Sequence, residues 1–477
     1  MTDDFLNFIS GVSEILWGPW TMIFIAFVSV YLSVRARFFQ ITNIPYIIRH
    51  TIGELFNRRN ENSHDHITPF QAAATSLAGT VGMGNMAGVA TALSIGGPGA
   101  IFWMWIISLF GMITKTAEIT LGVHYRDVDA QGQRHGGPMY YIEKALGWRL
   151  LTVLFSVGVV INAFFSSSLL QAHTVGRAFK AGFDISPYLV TGIMAIVAAL
   201  VALGGIRRIG KFCEATVPIM ALVYLSGAMI IVLANVETIP NAFLSIFNFA
   251  FAPAPAIGGF AGATIVASIQ MGMARGMLSN EAGLGNAPMV HAKATTEHPF
   301  KQGLWGAVEV FFDTTVVCSA TAIVILSSGV LENGASGIEL LIDAFGTFYG
   351  PQVASLFISF AILSFCLSTQ IASFVYFRTA IDKLLGGKVS RYLTWIYFLP
   401  GVLFAGVSNV DRLWALANIS VAASALPNLL ALLFLSGAFI ALMKDYLTGE
   451  CVFATHIVDI ERRYVKMAKG KSFRTPT

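Results

Sequence analysis

The chain has 477 residues, of which 55% are hydrophobic and only 12% charged, with a formal net charge of +4 at pH 7. A soluble domain carries about twice that share of charge, so little of the chain is left for a separate soluble domain. The pI near 8.8 does not point to nucleic acid, because the basic residues are spread over loop after loop rather than gathered on one face.

Apolar stretches long enough to cross a hydrocarbon core fall near 15–34, 69–94, 100–123, 150–175, 187–204, 214–234, 257–287, 303–328, 350–377, 392–408 and 415–442. The expected fold class is therefore an all-α integral membrane protein with about eleven transmembrane helices. The start, Met1-Thr-Asp-Asp, lacks the basic region of a signal peptide, so the first span is expected to be retained. An odd number of spans puts the termini on opposite sides. With the N-terminus outside, inward segments hold 25 of the 30 Lys and Arg, outward segments hold three (Arg177, Lys180, Arg412), and Lys115 and Arg275 fall within spans. Basic residues favour the cytoplasmic side, which predicts a cytoplasmic C-terminus.

Two spans are interrupted. Ala78-Gly-Thr-Val-Gly-Met-Gly-Asn85 places three glycines in six residues, and Arg275-Gly-Met-Leu-Ser-Asn-Glu-Ala-Gly-Leu-Gly-Asn286 makes the same case further on with Gly276, Gly283 and Gly285. Each interior Gly costs roughly 1 kcal/mol of helix stability relative to Ala, and opened backbone at bilayer depth is tolerated only where it is buried in protein or lines a cavity. The pattern Gly-x-Gly-Asn recurs at 82–85 and 283–286. Setting the first span aside leaves five and five, each five beginning with a break, which predicts a 5+5 inverted repeat. The expected division is an extra N-terminal helix over 1–37, a cytoplasmic loop over 38–68, a first repeat over 69–236, an inverted second repeat over 237–443 and a basic cytoplasmic tail over 444–477.

An unwound segment offers N–H groups to a carboxylate and carbonyls to an ammonium or Na⁺. Ser368 and Thr369 add adjacent mid-span hydroxyls, either as cation ligands or bonded back to the preceding turn. Arg275 and Glu281 flank the second break and are expected to pair and hold it; the alternative has Arg275 meeting a substrate carboxylate. Lys115 with Glu118, and Glu309 with Asp313, read as packing ion pairs or gate elements. His291 borders the second break and reads as interfacial, and His173 falls inside a span. With no lone mid-span acid to carry a proton, Na⁺ is the expected coupling ion. Four scattered cysteines (213, 318, 366, 451) indicate neither disulfide nor zinc. Gly82-x-Gly84-x-x-Ala87 follows no strand, and phosphate-loop and hydrolase motifs are missing, so no enzyme and no cofactor are expected beyond Na⁺ as a coupling ion.

At these residues the chain resembles the alanine or glycine:cation symporter family. Ile67-Thr-Pro-Phe-Gln71, the run Gly79 to Gly88, Gly96-Gly-Pro-Gly-Ala-Ile-Phe-Trp-Met-Trp105, Arg275 to Pro288 and Ala425-Leu-Pro-Asn428 carry the resemblance, which extends to about residue 440. It implies a leucine-transporter-like fold of the amino acid–polyamine–organocation superfamily. It also implies Na⁺-coupled symport of a small neutral amino acid in the cytoplasmic membrane of a prokaryote. Carried over by position, the Ala78 and Val81 carbonyls with Ser368 and Thr369 would bind Na⁺, and Thr80 with Asn85 would belong to a second cation site. The substrate carboxylate would meet amides near Met83 and Gly84, and the ammonium the backbone from Gly276 to Ser279, with Thr80, Gln171 and Ser373 in the same pocket. The chain departs from the family pattern at Ser168, His173, Ser373 and Asn418, which opens the alternatives of a larger neutral or polar substrate, such as glutamine or serine, and of H⁺ coupling. The tail is expected to favour anionic lipid; the oligomeric state does not follow from the sequence.

Overall fold

The computed structural model describes residues 11–13, 15–55, 67–129, 132–406 and 410–455. Those residues are almost entirely helical; one short antiparallel pair, Asp127–Val128 with Arg134–His135, is the only named sheet among them. Six helices are long and apolar enough to cross a membrane by length and composition: α4 (Gly99–His124), α5 (Arg149–Phe183), α7 (Gly205–Ala234), α11 (Pro299–Ser328), α13 (Pro351–Leu385) and the part of α15 (Val410–Thr448) from Leu413 on. Shorter apolar helices include α1 (Pro19–Arg35) and α6 (Pro187–Ala202). Aliphatic residues such as Leu150, Ile219, Leu222 and Leu233 stand exposed on these helices, an arrangement suited to lipid rather than water.

Both interrupted segments are split helices. In the first, α2 (Pro69–Thr80) stops, and a π-helical turn, Gly84–Gly88, leads into α3 (Val89–Gly96). The start of α2 is fixed by a capping box: the Thr68 hydroxyl accepts from the Gln71 amide and the Gln71 side chain accepts from the Thr68 amide, each at 3.1 Å. In the second, α9 (Ile265–Asn280) begins at a Thr264 cap, stops, and resumes as α10 (Ala287–His291). The broken helices pack against α4, which also runs along α11, and against α13.

Several expected boundaries move. The 257–287 span begins later, because Pro253, Pro255, Gly258, Gly259 and Gly262 leave 252–264 outside any helix between α8 (Ile239–Phe251) and α9. An unpredicted helix, α12 (Gly337–Tyr349), precedes α13. Residues 38–68 are not a simple loop: Phe39–Thr42, Ile44–His50 and Ile52–Leu55 are helical, while 56–66 lie outside the described residues. Within the 392–408 span, the described residues 392–406 form short helical turns, the last of them α14 (Leu399–Leu403). The expected tail beyond 455 also lies outside the described residues.

Candidate functional site at the two helix breaks

Every residue from Val81 to Ala90 is buried, so the first break presents its opened backbone to protein rather than lipid. The Thr369 hydroxyl of α13 lies 3.0 Å from the Ala78 carbonyl, 3.2 Å from the Val81 carbonyl and 3.0 Å from the Phe365 carbonyl of its own helix. A hydroxyl carries one hydrogen, so it satisfies one of these carbonyls at a time; the Phe365 carbonyl also accepts from Ser368, whereas the Ala78 and Val81 carbonyls of the break compete for the Thr369 hydrogen. That is a donor-poor oxygen cluster of the kind a hard cation prefers. Ser368 does not join it: neighbouring helical side chains diverge by about 100°, and its hydroxyl is bound to the Phe365 carbonyl at 2.8 Å and faces Met220 Sδ at 3.5 Å. Thr80 likewise bonds back to the Leu77 carbonyl at 3.0 Å rather than joining Asn85.

Of the amides expected to meet a carboxylate, that of Met83 already has a partner, as does that of neighbouring Gly82. Gly82 N–H donates to Asn85 Oδ1 at 2.9 Å, and Met83 N–H donates to Gln171 Oε1 at 3.0 Å. Gln171 therefore caps the second half-helix from α5, and a substrate carboxylate using the Met83 amide has to displace it. A Cβ on Gly82 would stand 2.5 Å from Thr369 Oγ1 and 3.0 Å from Gln171 Oε1. Gly82→Ala is accordingly expected to push Thr369 and Gln171 off the break at an overpacking cost of about 1–3 kcal/mol. Uptake into proteoliposomes should fall roughly tenfold or more while the protein remains monodisperse.

The second break is built from positive-φ residues, Glu281 at 57°, Gly283 at 95° and Gly285 at 76°. L side chains disfavour that region and glycine does not, which explains the Gly-x-Gly spacing. Its freed groups are held by side chains from elsewhere: Gly285 N–H donates to Glu118 Oε1 at 3.1 Å, Asn428 Nδ2 donates to the Gly283 carbonyl at 2.9 Å, and Asn428 Nδ2 also bonds Glu118. Lys115, one turn before Glu118, donates to the Asn280 carbonyl at 2.9 Å, placing a cation at the C-terminal end of α9. Gly276 is pressed against α4, where a Cβ would meet Ile107 at 2.8 Å.

The expected Arg275–Glu281 pair is absent. Glu281 accepts from Asn286 Nδ2 at 3.0 Å, and the Arg275 guanidinium lies over the Trp414 ring, 3.7 Å from its centroid. Nor do Lys115 and Glu118, or Glu309 and Asp313, act as pairs along one helix. Lys115 pairs with Glu309 at 3.2 Å, and Glu309 also meets His291 at 2.8 Å and Ser76 at 2.6 Å. His291 is thus fully buried, not interfacial.

Asp313 is the functional candidate that spacing alone missed. It lies in the π-helical turn Phe311–Cys318 within α11 and, like Glu309, faces the first broken helix, Glu309 at Ser76 and Asp313 at Asn85 where the breaks meet; such turns concentrate at functional sites. Asn85 Nδ2 donates to Asp313 Oδ1 at 2.7 Å, and Ser279 and Thr314 donate to Oδ2 at 2.6 and 3.0 Å. Asn85 Nδ2 also lies 3.0 Å from Ser279 Oγ, and a Cβ on Gly84 would meet Ser279 Cα at 3.3 Å, so the two breaks touch. Asp313 has 0% exposure and forms no ion pair among the described residues: a buried carboxyl group held by neutral donors alone, so the expectation of no lone mid-span acid does not hold.

Two cavities flank these elements. One, about 540 Å³, is lined by residues of α3 and α9, including Thr91 and Arg275, with His173, Arg177, Glu339, Trp414 and Asn418. The other, about 460 Å³, is lined by Ile67 ahead of α2 and Lys293 after α10, with Arg134, His135, Arg378 and Asp382. Burial pushes the Lys293 ammonium down to about 8. The first broken helix runs from the second cavity to the first, and the second broken helix runs the other way. Of the positions that depart from the family pattern, His173 and Asn418 line the first cavity, while Ser168 and Ser373 are buried away from both.

A family model described as the sodium:alanine symporter family matches residues 2–452. The chain belongs to the sodium:alanine symporter family. It is 36% identical over 451 residues to the sodium/alanine symporter AgcS of Methanococcus maripaludis, covering 93% of this chain and 97% of that one. It is 35% identical over 443 residues to the probable sodium/glutamine symporter GlnT of Bacillus subtilis, covering 92% and 91%. Its fold matches the crystal structure of MhsT in complex with L-phenylalanine, with a TM-score of 0.60 and 14% identity over 85% of this chain and 99% of that chain. This family member is a multi-pass membrane transporter of the cation-coupled amino acid class and not an enzyme.

Proposed function

We propose that this family member is a Na⁺-coupled symporter of a small neutral amino acid of the alanine and glycine class, working by alternating access. The observation that carries the reading is the oxygen cluster of Ala78, Val81 and Thr369, which joins the first broken helix to α13. A cation there would take the place of the Thr369 hydrogen bond to the break, with Thr369 keeping its hydrogen on the Phe365 carbonyl, and would tie the two helices together. Asp313 with Asn85 and Ser279 forms a second cation position or meets the substrate ammonium, in place of the expected Thr80. Ser368 would reach the first position only by a rotamer change. The opposed course of the broken helices between two cavities supports an inverted repeat. The basic lining of the second cavity supports a cytoplasmic position for it, and with it for the C-terminus, in the cell membrane.

A larger, polar substrate is the second reading, and a specific observation favours it. Ser168 Oγ, Ser373 Oγ and both amide atoms of Gln370 are buried without hydrogen-bond partners. Such groups cost about 1–3 kcal/mol each when left unpaired, a cost that a substrate hydroxyl or carboxamide would relieve. Thermal-shift measurements of the purified protein with each amino acid, in NaCl and in choline chloride, separate the readings. A Na⁺-dependent shift with alanine or glycine supports the first, and one with glutamine or serine the second. An equal shift in choline removes Na⁺ coupling and favours H⁺.

Thr369→Ala is expected to raise the Na⁺ concentration for half-maximal stabilisation roughly tenfold, the loss of about 1.4 kcal/mol, with Thr369→Ser close to the parent. Identical Na⁺ titrations for Thr369→Ala and the parent would remove Thr369 from the cation site.

A further inference from the structure

We propose that Arg275 forms a carboxylate-docking subsite in the 540 Å³ cavity, where an amino acid is held before it reaches the helix breaks. The proposal rests on the amino acid transport reading for the identity of the ligand, but not for the existence of the site. Arg275 lies one turn before the second break, is 4% exposed and lines the cavity. Its Nε and Nη1 have no hydrogen-bond partner, and among the described residues no carboxylate pairs with it. Glu281 bonds Asn286 through Oε1 and does not pair with Arg275, and Glu339, on the same cavity wall, is engaged with Arg177 at 2.6 Å. The remaining polar neighbours on that wall, such as Thr91 and Asn418, are neutral.

A buried charge with no partner is strongly unfavourable, and an ionisable group at membrane depth is retained where it serves the transported species. Guanidinium presents a fixed fork that matches a carboxylate through two parallel hydrogen bonds. The Trp414 ring, its centroid 3.7 Å from the guanidinium carbon, holds the group from one side, and the unpartnered Nε and Nη1 are left for the ligand. Trp414 and Asn418 are one turn apart on α15, so the ring and the amide face the same cavity. The site selects a carboxylate and is indifferent to the side chain, as a docking step shared by several amino acids requires. Passage onward brings the ligand along α9 to the second break.

Tryptophan fluorescence of the purified full-length protein reads this site directly, with W414F identifying the component that arises from Trp414. The probes are sodium acetate, L-alanine, L-glutamine and L-alaninamide, each at constant Na⁺, and the variants are R275Q and R275K, checked for monodispersity and helical content. Acetate and the amino acids are expected to change the Trp414 component in the parent and to lose at least about tenfold in affinity in R275Q, with R275K intermediate because it keeps charge but not the fork. L-alaninamide should bind parent and R275Q alike. Parent-like acetate and amino acid titrations in R275Q, or an equal loss of alanine and alaninamide, would overturn the subsite in favour of a structural role. A Trp414 response to acetate but to no amino acid would keep the carboxylate site and defeat the transport reading. No response to any probe in the parent would overturn the subsite itself.

Discussion

Asp313→Asn is expected to abolish Na⁺-driven uptake while leaving a folded, monodisperse protein. The substitution keeps the shape of the side chain and an acceptor for the Ser279 and Thr314 hydroxyls, but it removes the charge. Asp313 is fully buried and receives only neutral donors, so its charge has no structural partner to lose. A carboxylate in that position is costly to keep, and a cation bound beside it recovers that cost. Losing the charge should weaken cation binding by several kcal/mol, which corresponds to roughly 100-fold or more in half-saturating Na⁺. Uptake of the transported amino acid into proteoliposomes, titrated with Na⁺, checks this. Uptake within twofold of the parent would show that Asp313 merely ties Asn85 to Ser279.

The second large effect is on stability. Lys115 and Glu309 form a buried pair at 3.2 Å with side-chain exposures of 0% and 2%, and each also serves a neighbour: Lys115 the Asn280 carbonyl, and Glu309 the His291 ring and Ser76 hydroxyl. Removing one partner of a buried pair costs about 3–5 kcal/mol because the other charge is left unpaired. Lys115→Met should therefore lower the melting temperature sharply in detergent and reduce Na⁺-dependent ligand stabilisation, since Asn280 ends the helix that carries Ser279. Adding Glu309→Leu should recover part of the loss. An unchanged melting temperature for Lys115→Met would contradict the assignment of this pair as the tie between α4, α11 and the second break.

Glycine made both breaks legible in the sequence, because clustered Gly in an apolar span has a direct backbone meaning. Gly283 and Gly285 take the positive φ angles that a break of this shape needs, and Gly82 yields the space into which Thr369 and Gln171 reach. The contact between Thr369 and the carbonyls of Ala78 and Val81 was implied by the family resemblance. Ser368 was legible as a candidate but not as the side chain that turns away, because two adjacent hydroxyls differ only in helical register.

What escaped the sequence was long-range polar partnership. Asp313 and Glu309 lie one turn apart in the sequence, and the different partners they find on the first broken helix, Asn85 and Ser76, carry no composition signal. Lys115 and Glu118 looked like partners of each other; instead both reach across to the second break, at Asn280 and Gly285. Arg275 and Glu281 were close in sequence and opposite in charge, yet a Trp ring 139 positions later takes the guanidinium. The one available clue was the run Phe311-Phe-Asp-Thr-Thr-Val-Val-Cys318, where an acid and two hydroxyls sit inside an otherwise apolar span.

Purified protein reconstituted into liposomes tests the central claim most directly, using the amino acid that gives the largest thermal shift. Uptake is followed under an inward Na⁺ gradient and under equimolar choline. Coupling through the helix breaks predicts transient accumulation above the external concentration with Na⁺, none with choline, and loss of that accumulation in Asp313→Asn. Equal uptake in Na⁺ and choline, or flux that never exceeds equilibration, would contradict it.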